Sequence, residues 1–217
     1  MTAFDRVRDR LGAWFAGADK ASERWVVVDT ETSGLDPERD ALLAIGAVAV
    51  DGEGIRVADS FEVVLRNQAA GDAANVVIHG IGYGAQREGV PLADALPAFA
   101  AYVGAAPCIG FHTGFDRAVL ERAFAAANAG PMAVPWLDVA ELAAALHPEQ
   151  HNRGNRSLDD WLTRYAIDTA SRHSAAGDAL ATAELLLRLR TTAAAQGSRG
   201  FAALARMARQ HRWLGTS

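Results

Sequence analysis

Runs of apolar residues separated by turn residues predict the strands of a sheet. Residues 25–28 are a short run rich in valine, and residues 41–50 and 55–65 are two longer apolar runs. The Asp-Gly-Glu-Gly segment at 51–54 joins the two longer runs and is typical of a hairpin connection. The first three strands are therefore expected to be antiparallel neighbours.

Two short apolar segments later in the chain, 107–111 and 136–138, predict a fourth and a fifth strand. Apolar residues at helical spacing predict an N-terminal helix over residues 3–16, and the polar, glycine-bearing stretch 147–156 predicts a loop. Further helices are predicted over residues 92–103, 139–146 and 174–189. Three more are predicted, one from the end of the fourth strand to residue 127, one that begins at a capping box at 157–160, and one in the tail after residue 198.

This order of elements predicts an α/β fold built on a central mixed sheet. Three antiparallel strands followed by helix–strand units give a five-stranded sheet with helices on both faces. The pattern divides the chain into an N-terminal helix and its connection (1–23), a main domain (24–195) and a basic C-terminal tail helix (196–217).

Composition and charge narrow the classes of function. The chain has 217 residues, half of them hydrophobic, which is enough for a folded domain with a real core. Its net charge of -5 is unlike that of a protein that coats DNA non-specifically. Any nucleic acid is therefore expected to be bound locally.

Cysteine usage and hydropathy indicate the compartment. Cys108 is the only cysteine, which excludes an intramolecular disulfide and a thiolate metal site and fits a reducing cytoplasm. The longest apolar stretch, 41–50, is about half of the ~20 residues that a membrane span needs. No signal peptide is visible in the charged N-terminal residues. We expect a cytoplasmic protein that does not associate with a membrane.

Asp29 and Glu31 stand two residues apart at the end of the first predicted strand. Because side chains alternate between the faces of a strand, both carboxylates point to the same side. Two hard oxygen ligands at one place suit Mg²⁺ or Mn²⁺. Taken alone, an Asp-x-Glu pair more often marks a polar strand end that faces water.

Asp116 follows the fourth predicted strand, at the start of a helix. If the first and fourth strands are adjacent and parallel, Asp116 lies beside Asp29. A carboxylate in the first turn of a helix can also serve only to complement the helix dipole. By itself this residue leaves both interpretations open.

His173 and Asp178 flank four small residues at the head of a long helix. Asp178 lies about one turn into the helix, where it can reach a metal. Histidine titrates near neutrality, as the general base for an attacking water should. Taken alone, the segment is better interpreted as a surface histidine and a first-turn aspartate.

The three segments together are stronger evidence than any one of them. Four carboxylates gathered at one point repel one another and make physical sense only with cations among them. The set therefore predicts divalent-metal chemistry on a phosphate ester.

These segments resemble the motifs of the DEDDh group of 3′–5′ exonucleases. The matching residues are Asp29-Thr30-Glu31-Thr32-Ser33-Gly34-Leu35, then Phe115-Asp116, then His173 with Asp178 after four intervening residues. The group has the ribonuclease H-like fold and includes RNase T and the proofreading subunit of bacterial replicative DNA polymerase. Residues 78–81, Ile-His-Gly-Ile, also match a family feature.

The resemblance implies a two-metal hydrolase acting on the 3′ ends of single-stranded DNA or RNA and releasing nucleoside 5′-monophosphates. Asp29, Glu31 and Asp178 would hold one Mg²⁺ or Mn²⁺ ion, and Asp29, with Asp116 nearby, would hold the second. His173 would deprotonate the attacking water. The implied pocket for the terminal nucleotide consists of Thr32, Leu35, Ile78, His79 and Phe115.

Two departures from the family pattern leave alternatives open. Residues 112–114 are His-Thr-Gly, where relatives often carry an asparagine that positions the substrate. Relatives bound to a polymerase carry a clamp-binding peptide, Gln-x-x-apolar-x-Phe. Residues 196–201 have arginine at its apolar position, so a polymerase partner stays open but is not supported by a clear clamp motif.

The alternatives are a proofreading subunit, a module that binds nucleic-acid ends without cleaving them, and a hydrolase of mono- or dinucleotides. The sequence fixes neither the oligomeric state nor the choice between DNA and RNA.

Overall fold

The computed structural model describes residues 23–67, 81, 83–151, 157–169 and 172–215. The N-terminal helix predicted over residues 3–16 lies outside these residues. The described strands are β1 (Trp25–Thr32), β2 (Leu42–Val50), β3 (Ile55–Val64), β4 (Cys108–Gly110) and β5 (Trp136–Asp138). The described helices are α1 (Tyr83–Glu88), α2 (Leu92–Val103), α3 (Thr113–Ala126), α4 (Val139–Leu146), α5 (Pro148–His151), α6 (Leu158–Arg164), α7 (Ala175–Ala195) and α8 (Gly200–Gly215).

The five strands form one mixed sheet in the order β3-β2-β1-β4-β5. β2 pairs antiparallel with both β1 and β3, whereas β4 pairs parallel with β1 and β5 pairs parallel with β4. The predicted mixed sheet, with its first three strands antiparallel, is confirmed. The carboxyl ends of β1, β4 and β5 meet at one edge of the sheet because these three strands are parallel.

Each face of the sheet carries its own core, so the prediction of helices on both faces is also confirmed. The first core contains Trp25 and Val27 of β1 and is covered by α4, α6, α7 and α8. The second core contains Val26 and Val28 and is covered by α2 and α3. Side chains of β1 therefore alternate strictly between two separate helical layers.

The C-terminal helix α8 is part of the first core. It buries Phe201, Leu204, Ala205 and Ala208, and the ring of Phe201 meets that of Trp25 edge to face at 5.9 Å between centroids. The polar face of α8 carries Arg206 and Arg209 at the surface. The division of the chain at residues 23 and 195 stays a prediction.

Three helical segments differ from the sequence prediction. Residues 148–151 form the short helix α5, although the whole stretch 147–156 was expected to be a loop. Proline is well tolerated in the first turn of a helix, and Pro148 begins this one. α7 continues six residues beyond Leu189, because Ala193 still packs in the first core. The helix α1 was not predicted at all.

Every helix in the described part of the chain is too short or too polar to span a membrane.

Gly46 allows the start of α7 to lie directly against the sheet. In the register of β1 and β2, Gly46 stands opposite Asp29. A Cβ atom at Gly46 would lie 2.2 Å from the backbone of Ala175 and Ala176, far inside any normal contact. Only glycine therefore permits α7, with Asp178 in its first turn, to approach the sheet beside Asp29.

We expect Gly46→Ala to destabilise the protein, because the added methyl group meets rigid backbone rather than a movable side chain. Overpacking of this kind costs about 1–3 kcal/mol, and a domain of this size loses roughly 2–4 °C in Tm per kcal/mol. Thermal unfolding followed by circular dichroism measures the shift. Gly52→Ala is the matched control, since the Cβ it adds would meet open space. Equal Tm values for the two variants would contradict the argument.

Candidate active site

Three of the predicted carboxylates come together at the end of β1. Asp29 and Glu31 project from the face of β1 that α7 covers, and Asp178 lies in the first turn of α7. Each residue offers a carboxylate oxygen, and these oxygens lie within 4.8 Å of one another. All three side chains are half-buried. Three hard oxygen ligands at this spacing fit Mg²⁺ or Mn²⁺.

The fourth carboxylate, Asp116, approaches from the opposite face of the sheet. It is buried in the first turn of α3, and its Oδ1 accepts hydrogen bonds from the Thr30 backbone N–H at 3.0 Å and the Thr30 hydroxyl at 2.6 Å. Asp116 is not among the three residues whose oxygens share the 4.8 Å cluster. β1 and β4 are adjacent and parallel, the arrangement on which the expected position of Asp116 depended.

Asp138, at the end of β5, fixes the start of α3. Its carboxylate accepts hydrogen bonds from the backbone N–H groups of His112 and Thr113, both at 3.1 Å, and it also caps α4 through the Ala140 N–H at 2.9 Å. His112 has a left-handed backbone, with φ at 58°. Asp138 therefore holds the turn from which Asp116 projects. In the sequence, an aspartate between a strand and a helix indicates an N-cap. It gives no indication of the contact with the N–H groups of His112 and Thr113.

The carboxyl groups of the cluster take up protons more readily than isolated ones do. Burial raises the pKa of Asp29 well above its usual range, and the carboxylates of Asp116, Asp178 and Glu31 raise it further. Burial, together with Asp178 and Asp116, raises the pKa of Glu31 to about 7. These pKa values are raised because nearby positive charge only partly balances the negative charge of the carboxylates.

The pKa of Asp116 is set by burial and by hydrogen bonds, which act in opposite directions. Burial raises its pKa to about 6, although the two hydrogen bonds from Thr30 favour the carboxylate form. Asp138 also raises this pKa. Burial raises the pKa of Asp178 too, against Arg172, which lowers it.

Arg172 is the cation of the cluster, and the sequence analysis missed it. Its Nε donates to Asp159 Oδ1 at 2.8 Å, and its Nη1 donates to Asp178 Oδ1. The Arg172 side chain is 20% exposed, so water screens this contact only in part. Its place immediately before His173 is the only signal that the sequence offers.

His173 stands in the turn that leads into α7. Its backbone is left-handed, with φ at 62°, and its N–H donates to Asp178 Oδ1 at 3.3 Å. The next residue, Ser174, caps the helix by accepting from the Gly177 N–H at 3.2 Å. The side chain of His173 is exposed to solvent, and its charge lowers the pKa of Asp178.

The residues predicted to line the nucleotide pocket are only partly described. Leu35 is 92% exposed, which is unusual for a large apolar side chain. The Thr32 hydroxyl donates to the Gly34 carbonyl at 2.6 Å, and Phe115 packs at the margin of the second core. Ile78 and His79 lie outside the described residues. The predicted roles of the site residues stay predictions.

The loop that carries Leu35 is held by Asp40. The Asp40 carboxylate accepts hydrogen bonds from the Ser33 hydroxyl at 3.0 Å and from the Asp36 N–H at 2.7 Å. Arg122 of α3 donates to the Pro37 carbonyl at 2.8 Å and to the Asp40 carbonyl. Leu35 is therefore exposed on a hydrogen-bonded loop, four residues after Glu31 in the chain.

Comparison with protein families matches most of the chain to one of them. The model of the RNase T exonuclease family matches residues 26–186. The DNA polymerase III PolC-type of Latilactobacillus sakei subsp. sakei is 31% identical over 179 residues, which cover 80% of this chain and 12% of that protein. The corresponding protein of Bacillus subtilis is 28% identical over 176 residues, with 81% and 12% covered. The chain thus spans about one-eighth of the length of these relatives.

Solved structures share the fold. Exonuclease X in complex with 5′ overhanging duplex DNA has a TM-score of 0.66 and 21% identity, with 85% of this chain and 99% of that chain covered. Exonuclease I of E. coli in complex with an oligonucleotide has a TM-score of 0.65 and 20% identity, with 80% and 42% covered. At these identities the likeness concerns the fold alone.

The raised pKa values predict that the cluster makes the metal-free protein less stable as pH rises. A folded carboxyl group with a raised pKa binds a proton that its unfolded counterpart has released, so its stabilising contribution is lost as pH rises through the folded pKa. For Glu31 that window runs from about 4.5 to about 7. We expect the Tm of metal-free Glu31→Gln, relative to wild type, to rise between pH 5 and pH 8.

Thermal unfolding at several pH values in EDTA measures this difference. Glu62→Gln is the control, because Glu62 is exposed on β3, the strand at the opposite edge of the sheet from β5. The same pH dependence in both variants would contradict the assignment of the pKa shift to the cluster.

Proposed function

The chain belongs to the RNase T family of exonucleases, of the DEDDh type, and on this premise we propose that it is a divalent-metal-dependent 3′–5′ exonuclease. Its proposed substrates are the 3′ ends of single-stranded DNA or RNA. The proposed products are nucleoside 5′-monophosphates and a strand shortened by one nucleotide.

The observation that carries this proposal is the cluster of Asp29, Glu31 and Asp178. Their carboxylate oxygens lie within 4.8 Å of one another, and the pKa of Glu31 is raised to about 7. Like charges gathered in a half-buried site repel one another and lose part of their hydration, so a cluster that served only the fold would be unfavourable. The arrangement is favourable once divalent cations bind, because they neutralise it.

We assign the metal ligands as follows. Asp29, Glu31 and Asp178 would hold one Mg²⁺ or Mn²⁺ ion, and Asp29 with Asp116 would hold a second. Such ions would supply positive charge to the scissile phosphate and make an attacking water more acidic. The second position rests on the proximity of Asp116, whose charge contributes to the raised pKa of Asp29.

His173 is the proposed general base. Its side chain is exposed and close enough to Asp178 to lower the pKa of that carboxyl group, so its imidazole can take the proton of the attacking water. The hydrogen bond from its backbone N–H to Asp178 holds the turn close to the cluster. The water oxygen then attacks phosphorus, the bond to the leaving 3′ oxygen breaks, and that oxygen takes up a proton.

The exposed Leu35 supports a pocket for the terminal nucleotide. A base has an apolar face whatever its identity, so an exposed apolar side chain on the loop after Glu31 can contact any terminal base. Thr32, Leu35, Ile78, His79 and Phe115 are the residues proposed to line the pocket. This kind of contact suits an enzyme that removes nucleotides without regard to sequence.

A second candidate function is proofreading within a polymerase assembly. The supporting observation is the similarity to PolC-type DNA polymerase III, of which the chain spans about one-eighth. In that case the same cluster would remove misincorporated nucleotides from a primer end. Co-purification with a polymerase subunit would favour this function over free strand degradation.

The proposed polarity and metal requirement are tested with end-labelled strands. We expect purified protein to shorten 5′-labelled single-stranded DNA or RNA stepwise in Mg²⁺ or Mn²⁺, and to release labelled mononucleotide at once from 3′-labelled strands. EDTA should abolish both reactions. Asp29→Asn is the inactive control, because it removes a ligand of both proposed ions. Binding of strands without cleavage would instead favour an end-binding module, and cleavage of dinucleotides alone would favour a small-nucleotide hydrolase.

We expect His173→Ala to lower the turnover rate by about 10²-fold or more, because a positioned general base contributes about 10²–10⁴-fold. Binding of Mn²⁺ should be retained, since His173 is not a proposed ligand. Single-turnover rates and Mn²⁺ binding followed by electron paramagnetic resonance measure the two effects. His211→Ala, which removes an imidazole on α8, is the matched control. Full activity of His173→Ala would refute the assignment of the base.

A further inference from the structure

We propose that Arg172 is the resident counter-ion of the carboxylate cluster, which pairs with Asp178 in the metal-free protein and competes with the divalent cation for it. The inference rests on the proposed metal site and adds a residue that controls how tightly that site binds its cation. Arg172 touches no reacting group in this proposal.

The contacts of Arg172 bridge two helices. Through Nη1 it donates to Asp178 at the start of α7, and through Nε it donates to Asp159 in the first turn of α6, at 2.8 Å. The side chain of Asp178 is 14% exposed, whereas that of Asp159 is 60% exposed. One guanidinium is therefore shared between a half-buried carboxylate of the cluster and a solvated carboxylate outside it.

Arg172 is the arginine whose positive charge acts on all three carboxylates of the cluster, and His173 also acts on Asp178. It lowers the pKa values of Asp29, Glu31 and Asp178, whereas the neighbouring carboxylates raise those of Asp29 and Glu31. A guanidinium keeps its charge throughout the physiological pH range. Without a metal, Arg172 therefore stabilises the cluster by offsetting part of its negative charge.

The same charge opposes metal binding. Two cations at one carboxylate repel each other, and the repulsion is strong where burial limits screening. This holds whether the metal takes the oxygen that Arg172 occupies or the other oxygen of Asp178. When a metal binds, the guanidinium can leave Asp178 and pair with Asp159 alone. Asp159 already accepts a hydrogen bond from Nε, and its side chain is exposed to solvent.

Competition of this kind predicts opposite effects for two neighbouring substitutions. Arg172→Gln removes the competing charge, so Mn²⁺ should bind about tenfold tighter at pH 8, while the metal-free protein should unfold at a lower temperature. Asp159→Asn removes the alternative place for the guanidinium, so Arg172 should remain on Asp178 and Mn²⁺ should bind more weakly. A purely structural role for the bridge between α6 and α7 would shift affinity in the same direction in both variants.

The experiment is an Mn²⁺ titration of the full chain by electron paramagnetic resonance, with thermal unfolding in EDTA and in Mn²⁺ for each variant. Arg24→Gln is the matched control. It also removes an arginine paired with an aspartate, Asp59 at 2.8 Å, but next to the opposite end of β1. Its Mn²⁺ affinity should equal that of the wild type.

The outcomes separate this inference from the proposed function. If the wild type binds no Mn²⁺, the metal site itself fails. If the wild type binds Mn²⁺ and Arg172→Gln binds it equally or more weakly, only the role of Arg172 is overturned. Shifts of the same sign in Arg172→Gln and Asp159→Asn, whatever their sizes, would also overturn it.

Discussion

The carboxylates at the end of β1 repel one another, and the surrounding structure has to hold them together against this repulsion. Asp29 and Glu31 are fixed by the strand, and α7 and α3 each bring one more carboxylate to them. Separate contacts hold each helix in place. The close approach at Gly46 seats α7, and the hydrogen bonds of Asp138 and Thr30 seat α3. Packing in two cores thus supplies the energy that keeps like charges together.

Much of this architecture was predictable from local patterns. The strand pattern of β1 to β5 and the helices 92–103 and 139–146 follow from apolar runs and turn residues, and both helices have the predicted bounds. The position of Asp29 and Glu31 on one face of β1 was predictable, because side chains two residues apart on a strand point to the same side. The capping box at Ser157 was equally visible, because it depends on residues three positions apart.

Long-range contacts were not predictable in this way. Nothing near Gly46 in the sequence indicates that α7 lies against it, because the contact joins positions about 130 residues apart. Asp138 also acts at long range, from β5 to α3. Arg172 bridges α6 and α7 over only 13 and 6 positions, but it lies in the irregular segment before α7, where no periodic pattern predicts the direction of a side chain. Helix α5 was missed because its residues are mostly polar and show no apolar periodicity. The extension of α7 was missed because Ala193 is the one buried residue beyond Leu189, which is too weak a pattern to mark a helix.

The alternation of β1 between two cores has a consequence for the spacing of its residues. Trp25 and Val27 share a face with Asp29 and Glu31, whereas Val26 and Val28 share a face with Thr30, which binds Asp116. An insertion of a single residue between Val28 and Asp29 would turn the two acids toward α3 and the threonine toward α7. Only an insertion of an even number of residues between the hydrophobic and the acidic halves of β1 keeps each side chain on its own face of the sheet. Any insertion tolerated there must therefore add two residues at a time.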